Sequence, residues 1–118
     1  MAKDNIILIK SYSFALDIIK LYQHLTKEKK EFILSKQLLR SGTSIGANAE
    51  EATAGISRKE FIAKLQISYK EARETHYWIR LLKDSQIIDE AQASDMLAKC
   101  EEIIRIINAI LQSSKGQY

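Results

Sequence analysis

The segment Leu38–Asp84 decides the fold, and it reads LLRSGTSIGANAEEATAGISRKEFIAKLQISYKEARETHYWIRLLKD. Up to Ala54 it consists mainly of small and polar residues, and from Ser57 onward it is strongly charged. In the charged half, apolar or small residues recur at steps of three and four, the spacing of one face of an α-helix. This face comprises Phe61, Leu65, Ser68, Ala72, Thr75, Ile79 and Leu82. The segment therefore predicts two consecutive helices, at about residues 35–54 and 57–83, joined by a short connection.

The boundaries of these two helices carry recognisable signals. Ser35 is predicted to cap the first helix, because a serine hydroxyl accepts hydrogen bonds from the free N–H groups of a first turn. Gly55 is predicted to end that helix in a left-handed conformation, which glycine adopts without steric cost. Ser57 and Glu60 have the spacing of a capping box, which marks the start of the next helix.

Two further amphipathic segments flank this pair. The first covers about residues 5–24, with Asp4 or Asn5 as its cap. Its predicted core-facing stripe is Leu8, Tyr12, Ala15, Leu16, Ile19, Tyr22 and Leu25. The second starts near Asp89, which with Gln92 can cap it, and its stripe is Ala93, Met96, Leu97, Cys100, Ile103, Ile104, Ile107 and Leu111. Because short connections make neighbouring helices antiparallel, we predict an all-α, up-down-up-down antiparallel four-helix bundle, as a single domain over residues 1–118.

The second predicted helix has an unusual content of small residues. Gly42 and Gly46 lie in its interior, where each glycine costs about 1 kcal/mol relative to alanine. Their four-residue spacing puts both on one face, which indicates that another backbone packs closely there. A phosphate-binding loop is disfavoured, because the segment lacks the G-x-x-x-x-G-K-[ST] spacing and does not follow a strand.

A polar stripe runs along the same helix. Its members are Arg40, Ser44, Asn48 and Glu51, at steps of four, four and three. We expect Arg40 to meet Glu71 of the third helix, near Glu74, and Glu51 to meet Lys64 or Arg73. Two interpretations remain open at this point: a solvated charged face, or a buried or subunit-bridging polar network that specifies register.

Catalytic and metal-binding patterns are weak in this sequence. A di-metal site in a bundle needs Glu-x-x-His motifs, and neither His24 nor His76 has a glutamate three residues before it. Cys100 lies on an apolar stripe and is expected to be a small core residue. We therefore predict no catalytic residue, no metal and no cofactor.

Composition bounds the location of the protein. Cys100 is the only cysteine among 118 residues, which excludes an intramolecular disulfide and fits a reducing cytoplasm. No run of about 18 apolar residues is present, so no membrane span is expected.

Basic and aromatic residues indicate two kinds of contact. The net charge is +3, which permits a nucleic-acid partner. The predicted phosphate contacts are Lys27, Lys29, Lys30, Lys36, Arg58 and Lys59. Lys59, Arg73 and Arg80 also share one helical stripe, although such a stripe is more often a solvated face with i,i+4 ion pairs. Tyr77 and Trp78 next to Arg80 are typical of a subunit interface.

The fold-deciding segment resembles the bacterial four-helix-bundle proteins known as intervening-sequence proteins of 23S ribosomal RNA. The resemblance covers most of the chain and is densest in LLRSGTSIGANAEEA and EFIAKLQISYKEARETHYWIRLLKDS. Matching positions are Leu39, Arg40, Ser41, Ser44, Ile45, Asn48, Glu51, Glu71, Ala72, Glu74, Tyr77, Trp78 and Leu81. Ala49, Glu50 and Ala52 depart from the residues that are frequent in the family, and these changes affect how the second helix packs.

The resemblance implies a ring-shaped homopentamer without enzymatic activity. Some members of the family are encoded within inserts in ribosomal RNA genes. A related branch, the accessory variability proteins of diversity-generating retroelements, partners a reverse transcriptase and nucleic acid. The biochemical role of the family is largely unsettled, so the fold is inherited more safely than the function.

Two hypotheses follow for the function. The first is a non-enzymatic homo-oligomer that binds RNA or a ribonucleoprotein. The alternative is a protein–protein interaction scaffold with no nucleic-acid role, which would use Trp78 and the Gly42/Gly46 face as docking surfaces. Neither hypothesis includes a membrane or a small-molecule substrate.

Overall fold

Four helices account for nearly all of the structure. The computed structural model describes residues 2–115 and the side chains of residues 6–114. The helices are α1 (Ala2–Lys27), α2 (Leu34–Thr53), α3 (Arg58–Asp84) and α4 (Glu90–Lys115), and no strand occurs within residues 2–115. They form an elongated bundle of 48 × 21 × 19 Å in which each helix packs on two neighbours. The predicted all-α four-helix bundle is confirmed.

The faces of α3 and α4 that line the core agree with the predicted stripes. On α3 the buried residues are Leu65, Ser68, Ala72, Thr75, Ile79 and Leu82, with Phe61 partly buried at the edge. On α4 they are Ala93, Met96, Cys100, Ile103, Ile107, Ile110, Leu111 and Ser114. Of the predicted α4 stripe, Leu97 and Ile104 are only partly buried. Both sets recur at steps of three and four, so each helix presents one continuous apolar face.

The predicted core face of α1 is wrong. The buried residues of this helix are Ile7, Ser11, Phe14, Ile18, Leu21 and Leu25, so only Leu25 of the predicted stripe is fully buried. Tyr12, Leu16 and Ile19 are exposed instead. The helix is apolar on two faces, and periodicity alone does not say which of them meets α2 and α4. The predicted start is also wrong, because α1 begins at Ala2 and therefore contains Asp4 and Asn5.

Close packing of α1 on α2 accounts for the interior glycines. A Cβ atom added at Gly42 would lie 2.7 Å from Ile18 Cγ1, and one added at Gly46 would lie 3.1 Å from Ser11 Oγ. The prediction of close packing is confirmed. Because α1 covers this face and Gly42 and Gly46 are buried, the Gly42/Gly46 face is not a docking surface for another protein, and that part of the scaffold hypothesis is wrong.

Two of the predicted caps are present. The hydroxyl of Ser57 accepts a hydrogen bond from the backbone N–H of Glu60 at 3.1 Å, at the start of α3. The carboxylate of Asp89 accepts from the backbone N–H of Gln92 at 2.7 Å, at the start of α4. Each side chain satisfies a backbone donor that has no partner within its helix.

The caps predicted for α2 are wrong. Ser35 lies inside the helix, and its first turn is capped by Glu31, whose carboxylate accepts from the backbone N–H groups of Ile33, Leu34 and Ser35 at 3.2, 3.1 and 2.7 Å. At the other end, Gly55 does not have a positive φ, so it is not a left-handed terminator. Within residues 2–115, the left-handed residues are Lys30 (φ 56°) and Gln86 (φ 64°), in the two connections at the opposite end of the bundle.

Glu31 is expected to make stability depend on pH in the acidic range. Partial burial raises the pKa of Glu31, but the three backbone N–H groups and Ser35 outweigh burial, so the net effect is a lowered pKa. The stabilisation is therefore complete above the unfolded-state pKa of about 4.3, and it is lost as the pH falls through the lower folded-state value. We expect Glu31→Gln to cost about 1 kcal/mol near pH 7, measured by urea unfolding.

The pH dependence separates this cap from a general charge effect. The difference between wild type and Glu31→Gln should shrink as the pH falls through the lowered folded-state pKa of Glu31, and it should vanish once this carboxyl is protonated in the folded protein. Glu28→Gln removes the same charge from a neighbouring exposed carboxylate that makes no side-chain hydrogen bond in the structure, and it should change little. An equal loss in both variants would contradict the assignment of Glu31 as the cap.

Candidate functional site

A charged network joins α2 to α3 at the surface. Nη1 of Arg40 lies 3.1 Å from Oε1 of Glu71, and its Nη2 bonds Glu74. The indole N–H of Trp78 donates to the same Glu74 carboxylate at 3.0 Å. This N–H contributes most to lowering the pKa of Glu74, although burial opposes it and Arg40 adds to it. The bond to Glu74 in turn raises the pKa of Arg40.

The rest of the polar stripe on α2 bonds locally. Ser44 donates to the carbonyl of Arg40, and Asn48 donates to the carbonyl of Ser44, so both side chains fold back onto their own helix. Glu51 meets Lys64 at 3.0 Å. The pairs therefore form within one chain, at a surface where each exposed ion pair contributes less than about 1 kcal/mol.

Aromatic side chains extend this surface. The rings of Tyr77 and Trp78 meet edge to face with centroids 5.2 Å apart, and the guanidinium of Arg80 lies 5.7 Å from the Tyr77 centroid. Tyr77 remains 47% exposed. The Tyr77–Trp78 patch is therefore preorganised and accessible, as expected of a contact surface.

The predicted phosphate contacts lie at two separate places in the chain. Lys27, Lys29, Lys30 and Lys36 surround the α1–α2 connection, whereas Arg58 and Lys59 begin α3. Lys36 lies in the first turn of α2, and the rest of this helix separates the two groups, a distance of about 25 Å at 1.5 Å per residue. All six side chains are exposed, and none lies within 4.0 Å of a carboxylate of residues 6–114. One chain does not bring the six together.

The connection that carries the lysines also holds exposed apolar residues. Lys29, Lys30, Phe32 and Ile33 line a groove of about 420 Å³ together with Glu31, Gln86 and Ile87 of the facing connection. Phe32 is 59% exposed. Exposed aromatics beside basic residues are used to stack unpaired bases of single-stranded nucleic acids. Phe32 was not among the predicted contacts, although its place within a lysine-rich connection was a usable signal.

The outer face of α1 carries an unpartnered apolar stripe. Ile9, Tyr12, Leu16 and Ile19 follow one another at steps of three, four and three, and all are exposed, Ile9 by 68%. We call these four residues the α1 stripe. Its spacing is that of the a and d positions of a heptad repeat, which pack against another helix. Tyr12, Leu16 and Ile19 were predicted as core residues, whereas Ile9 was not part of the predicted stripe.

The potentially reactive side chains are held in structural roles. His76 bonds Glu101 through Nε2 at 2.9 Å. Cys100 is fully buried, its Sγ lies 3.3 Å from the carbonyl oxygen of Ala72, and burial raises its pKa to about 12. Within residues 6–114, no three His, Cys, Asp or Glu side chains are placed to hold a metal ion. No helix within residues 2–115 combines the length and apolar character needed to cross a bilayer.

These features define the class of the protein, which is an antiparallel four-helix bundle. Its surface carries the charged network between α2 and α3, the Tyr77–Trp78 patch and the α1 stripe. Residues 3–109 match the family model described as 23S rRNA-intervening sequence protein, and the chain belongs to that family. It is similar to a solved structure, a protein with unknown function from the S23 ribosomal protein family of Bacteroides thetaiotaomicron. The two share 46% identity with a TM-score of 0.92, over 93% of this chain and 98% of that one. No curated protein matches the chain.

Proposed function

We propose that this protein is a homo-oligomeric, non-enzymatic module that binds RNA or a ribonucleoprotein in the cytoplasm. The observation that carries the proposal is the α1 stripe, because a soluble bundle rarely leaves a heptad-spaced row of large apolar side chains in water. A second copy of the chain is the occupant that the proposal requires. The exposed basic groups supply the contacts to nucleic acid.

The arrangement of the surfaces favours a ring. The α1 stripe and the Tyr77–Trp78 patch lie on helices that do not contact each other, so they are different surfaces of the bundle. A contact between two different surfaces is heterologous, and it closes into a ring when the rotation between copies permits. The homopentamer implied by the family resemblance is one such ring.

Assembly would also explain how a weakly basic chain binds RNA. Each protomer carries a net charge of +3, and the exposed lysines at the α1–α2 connection have no carboxylate partner in the described side chains. A ring repeats these groups around one axis, so phosphate contacts that are weak individually act together. Salt-dependent release of counterions from the RNA would then dominate the affinity.

The alternative function is a protein–protein scaffold without a nucleic-acid role, and the Tyr77–Trp78 patch is the observation that favours it. The resemblance to retroelement accessory proteins implies a protein partner, which is a reverse transcriptase or another protein component of a ribonucleoprotein. The two functions differ in a measurable way, because only the first requires the isolated protein to bind RNA.

The test is fluorescence anisotropy with structured RNA, duplex DNA and a heparin control across a salt series. We expect RNA to bind more tightly than heparin, and log K to fall linearly with log salt concentration. A variant with Lys27, Lys29, Lys30, Lys36, Arg58 and Lys59 changed to Gln should bind at least about tenfold more weakly, with a shallower salt slope. If the isolated protein does not bind RNA at low salt, the RNA-binding function fails and the scaffold function is favoured. If the variant binds RNA with unchanged affinity, these six contacts are refuted.

A further inference from the structure

Three arginines line a groove between α3 and α4. None of them is among the six predicted phosphate contacts. Arg73, Arg80 and Arg105 line a groove of about 380 Å³ together with His76, Glu101 and Ile104. We call it the arginine groove. All three arginines are exposed. Arg73, His76 and Arg80 share one face of α3, at steps of three and four, and Arg105 reaches the same groove from α4.

The arginines of this groove form no ion pair within residues 6–114, in contrast to basic residues at the α1–α4 and α2–α3 boundaries. Between α1 and α4, Lys10 meets Glu102 and Lys99 meets Asp17; between α2 and α3, Lys64 meets Glu51. At the α3–α4 boundary the bridge is His76–Glu101. None of the three arginines lies within 4.0 Å of a carboxylate of residues 6–114.

The one acid that lines the groove is already engaged. Glu101 is bonded to His76, and it forms no ion pair with the three arginines. A bound polyanion would supply the negative charge that the groove lacks. The groove is therefore better suited to an anionic ligand than to bare solvent.

We propose that the arginine groove binds the phosphodiester backbone of RNA. The proposal rests on the RNA-binding function proposed above and adds a specific site to it. A guanidinium presents a planar fork of donors that matches two oxygens of one phosphate, which a lysine ammonium does not. Arginine–phosphate pairs are therefore often bidentate, and their hydrogen bonds are charge-assisted and strong.

The spacing of the arginines favours a polymer over a single phosphate. Arg73 and Arg80 are seven residues apart, which places their Cα atoms about 10 Å apart along α3. Their guanidinium groups can therefore bind successive phosphates of one strand, with Arg105 reaching them from the other side.

The first arm of the test compares variants of equal net charge by anisotropy with structured RNA. Changing Arg73, Arg80 and Arg105 to Gln should weaken binding about tenfold or more and make the salt slope shallower by about two units. The control changes Lys20, Lys70 and Lys83 to Gln, which removes the same charge outside the groove, outside the six predicted contacts and outside the ion pairs of residues 6–114. The corresponding Arg→Lys triple variant keeps the charge but loses the planar fork of donors. Its affinity for the RNA should lie between those of the wild type and the Gln variant.

The second arm does not depend on RNA binding. The Nε–H resonances of the wild-type arginines are followed by NMR during titration with inorganic tripolyphosphate, and separately with poly-glutamate. We expect saturable shifts of Arg73, Arg80 and Arg105 with tripolyphosphate, with a dissociation constant of about 1 mM or tighter. Poly-glutamate should bind more weakly, because its carboxylates are single negative charges on flexible side chains.

The outcomes of the two arms separate this site from the broader function. If RNA binds and the Arg→Gln triple matches its lysine control, the groove proposal is overturned while the proposed function stands. If no RNA binds but tripolyphosphate shifts the three arginines, the proposed RNA-binding function fails and the phosphate chemistry of the groove is upheld. If neither ligand binds, or if poly-glutamate binds more tightly than both, the groove proposal is overturned.

Discussion

Replacing Gly42 by leucine is expected to lower the free energy of unfolding by about 3 kcal/mol. A Cβ atom at this position would lie 2.7 to 2.9 Å from three side-chain atoms of Ile18, before the rest of the leucine is added. Ile18 is fully buried, so it has no free space into which to move. The overpacking must therefore push α1 away from α2, and better helix propensity offsets only about 1 kcal/mol of this cost. Urea unfolding followed by circular dichroism measures the change.

Two further variants attribute that loss to the contact with Ile18. Gly46→Ala is the control, since its new Cβ would lie 3.1 Å from the hydroxyl oxygen of Ser11, a small group that can rotate. We expect its stability to stay within about 1 kcal/mol of wild type. In a double-mutant cycle, Ile18→Ala combined with Gly42→Leu should cost less than the sum of the single changes. Additive costs would show that the clash with Ile18 is not the cause.

Introducing aspartate into the α1 stripe is expected to convert the proposed oligomer into monomers. In the double variant Ile9→Asp/Leu16→Asp, two large apolar side chains lose burial that is worth about 1.5 to 3 kcal/mol each. Unpaired carboxylates at the contact would add a desolvation penalty. Together these terms lower the association constant by at least about a hundredfold per contact. Sedimentation velocity over a range of protein concentrations measures the shift, and circular dichroism should show an intact bundle.

A matched change elsewhere tests whether the effect belongs to the stripe. Ile33 and Ile56 are exposed by 76% and 94% and lie outside it, so Ile33→Asp/Ile56→Asp introduces the same charges without touching α1. In sedimentation velocity, this control should show the same particle size as the wild-type protein. A wild-type chain that sediments as a monomer at every concentration, or a stripe variant that stays assembled, would contradict self-association through α1.

Local patterns predicted much of the bundle. Most of the seams of α3 and α4 was predictable because each of these helices has one dominant apolar face, and most residues of that face pack inward. The caps formed by Ser57 and Asp89 were predictable because a cap acts within three residues of its own backbone partner. The close contact at Gly42 was predictable for a related reason: a helix tolerates interior glycines when a neighbour needs the space.

Predictions failed where the sequence offered two local solutions. Helix α1 has apolar residues on two sides, and both faces have helical spacing. At the start of α2, the hydroxyl of Ser35 and the carboxylate of Glu31 were both available as caps. The carboxylate reaches three N–H groups at once, whereas the hydroxyl donates to the backbone carbonyl of Glu31. Neither choice was readable from residue types, because each depends on the path of the chain between α1 and α2.

The amino-acid sequence by itself determined the four helices, the faces of α3 and α4 that pack inward, and the family. Those features depend on residues within one or two helical turns of each other. Only the tertiary structure decided which face of α1 remains in water, and it alone brought Arg105 beside Arg73 and Arg80. Contacts between helices join residues far apart in the chain, so they depend on how each helix is rotated against its neighbours, which no local spacing encodes.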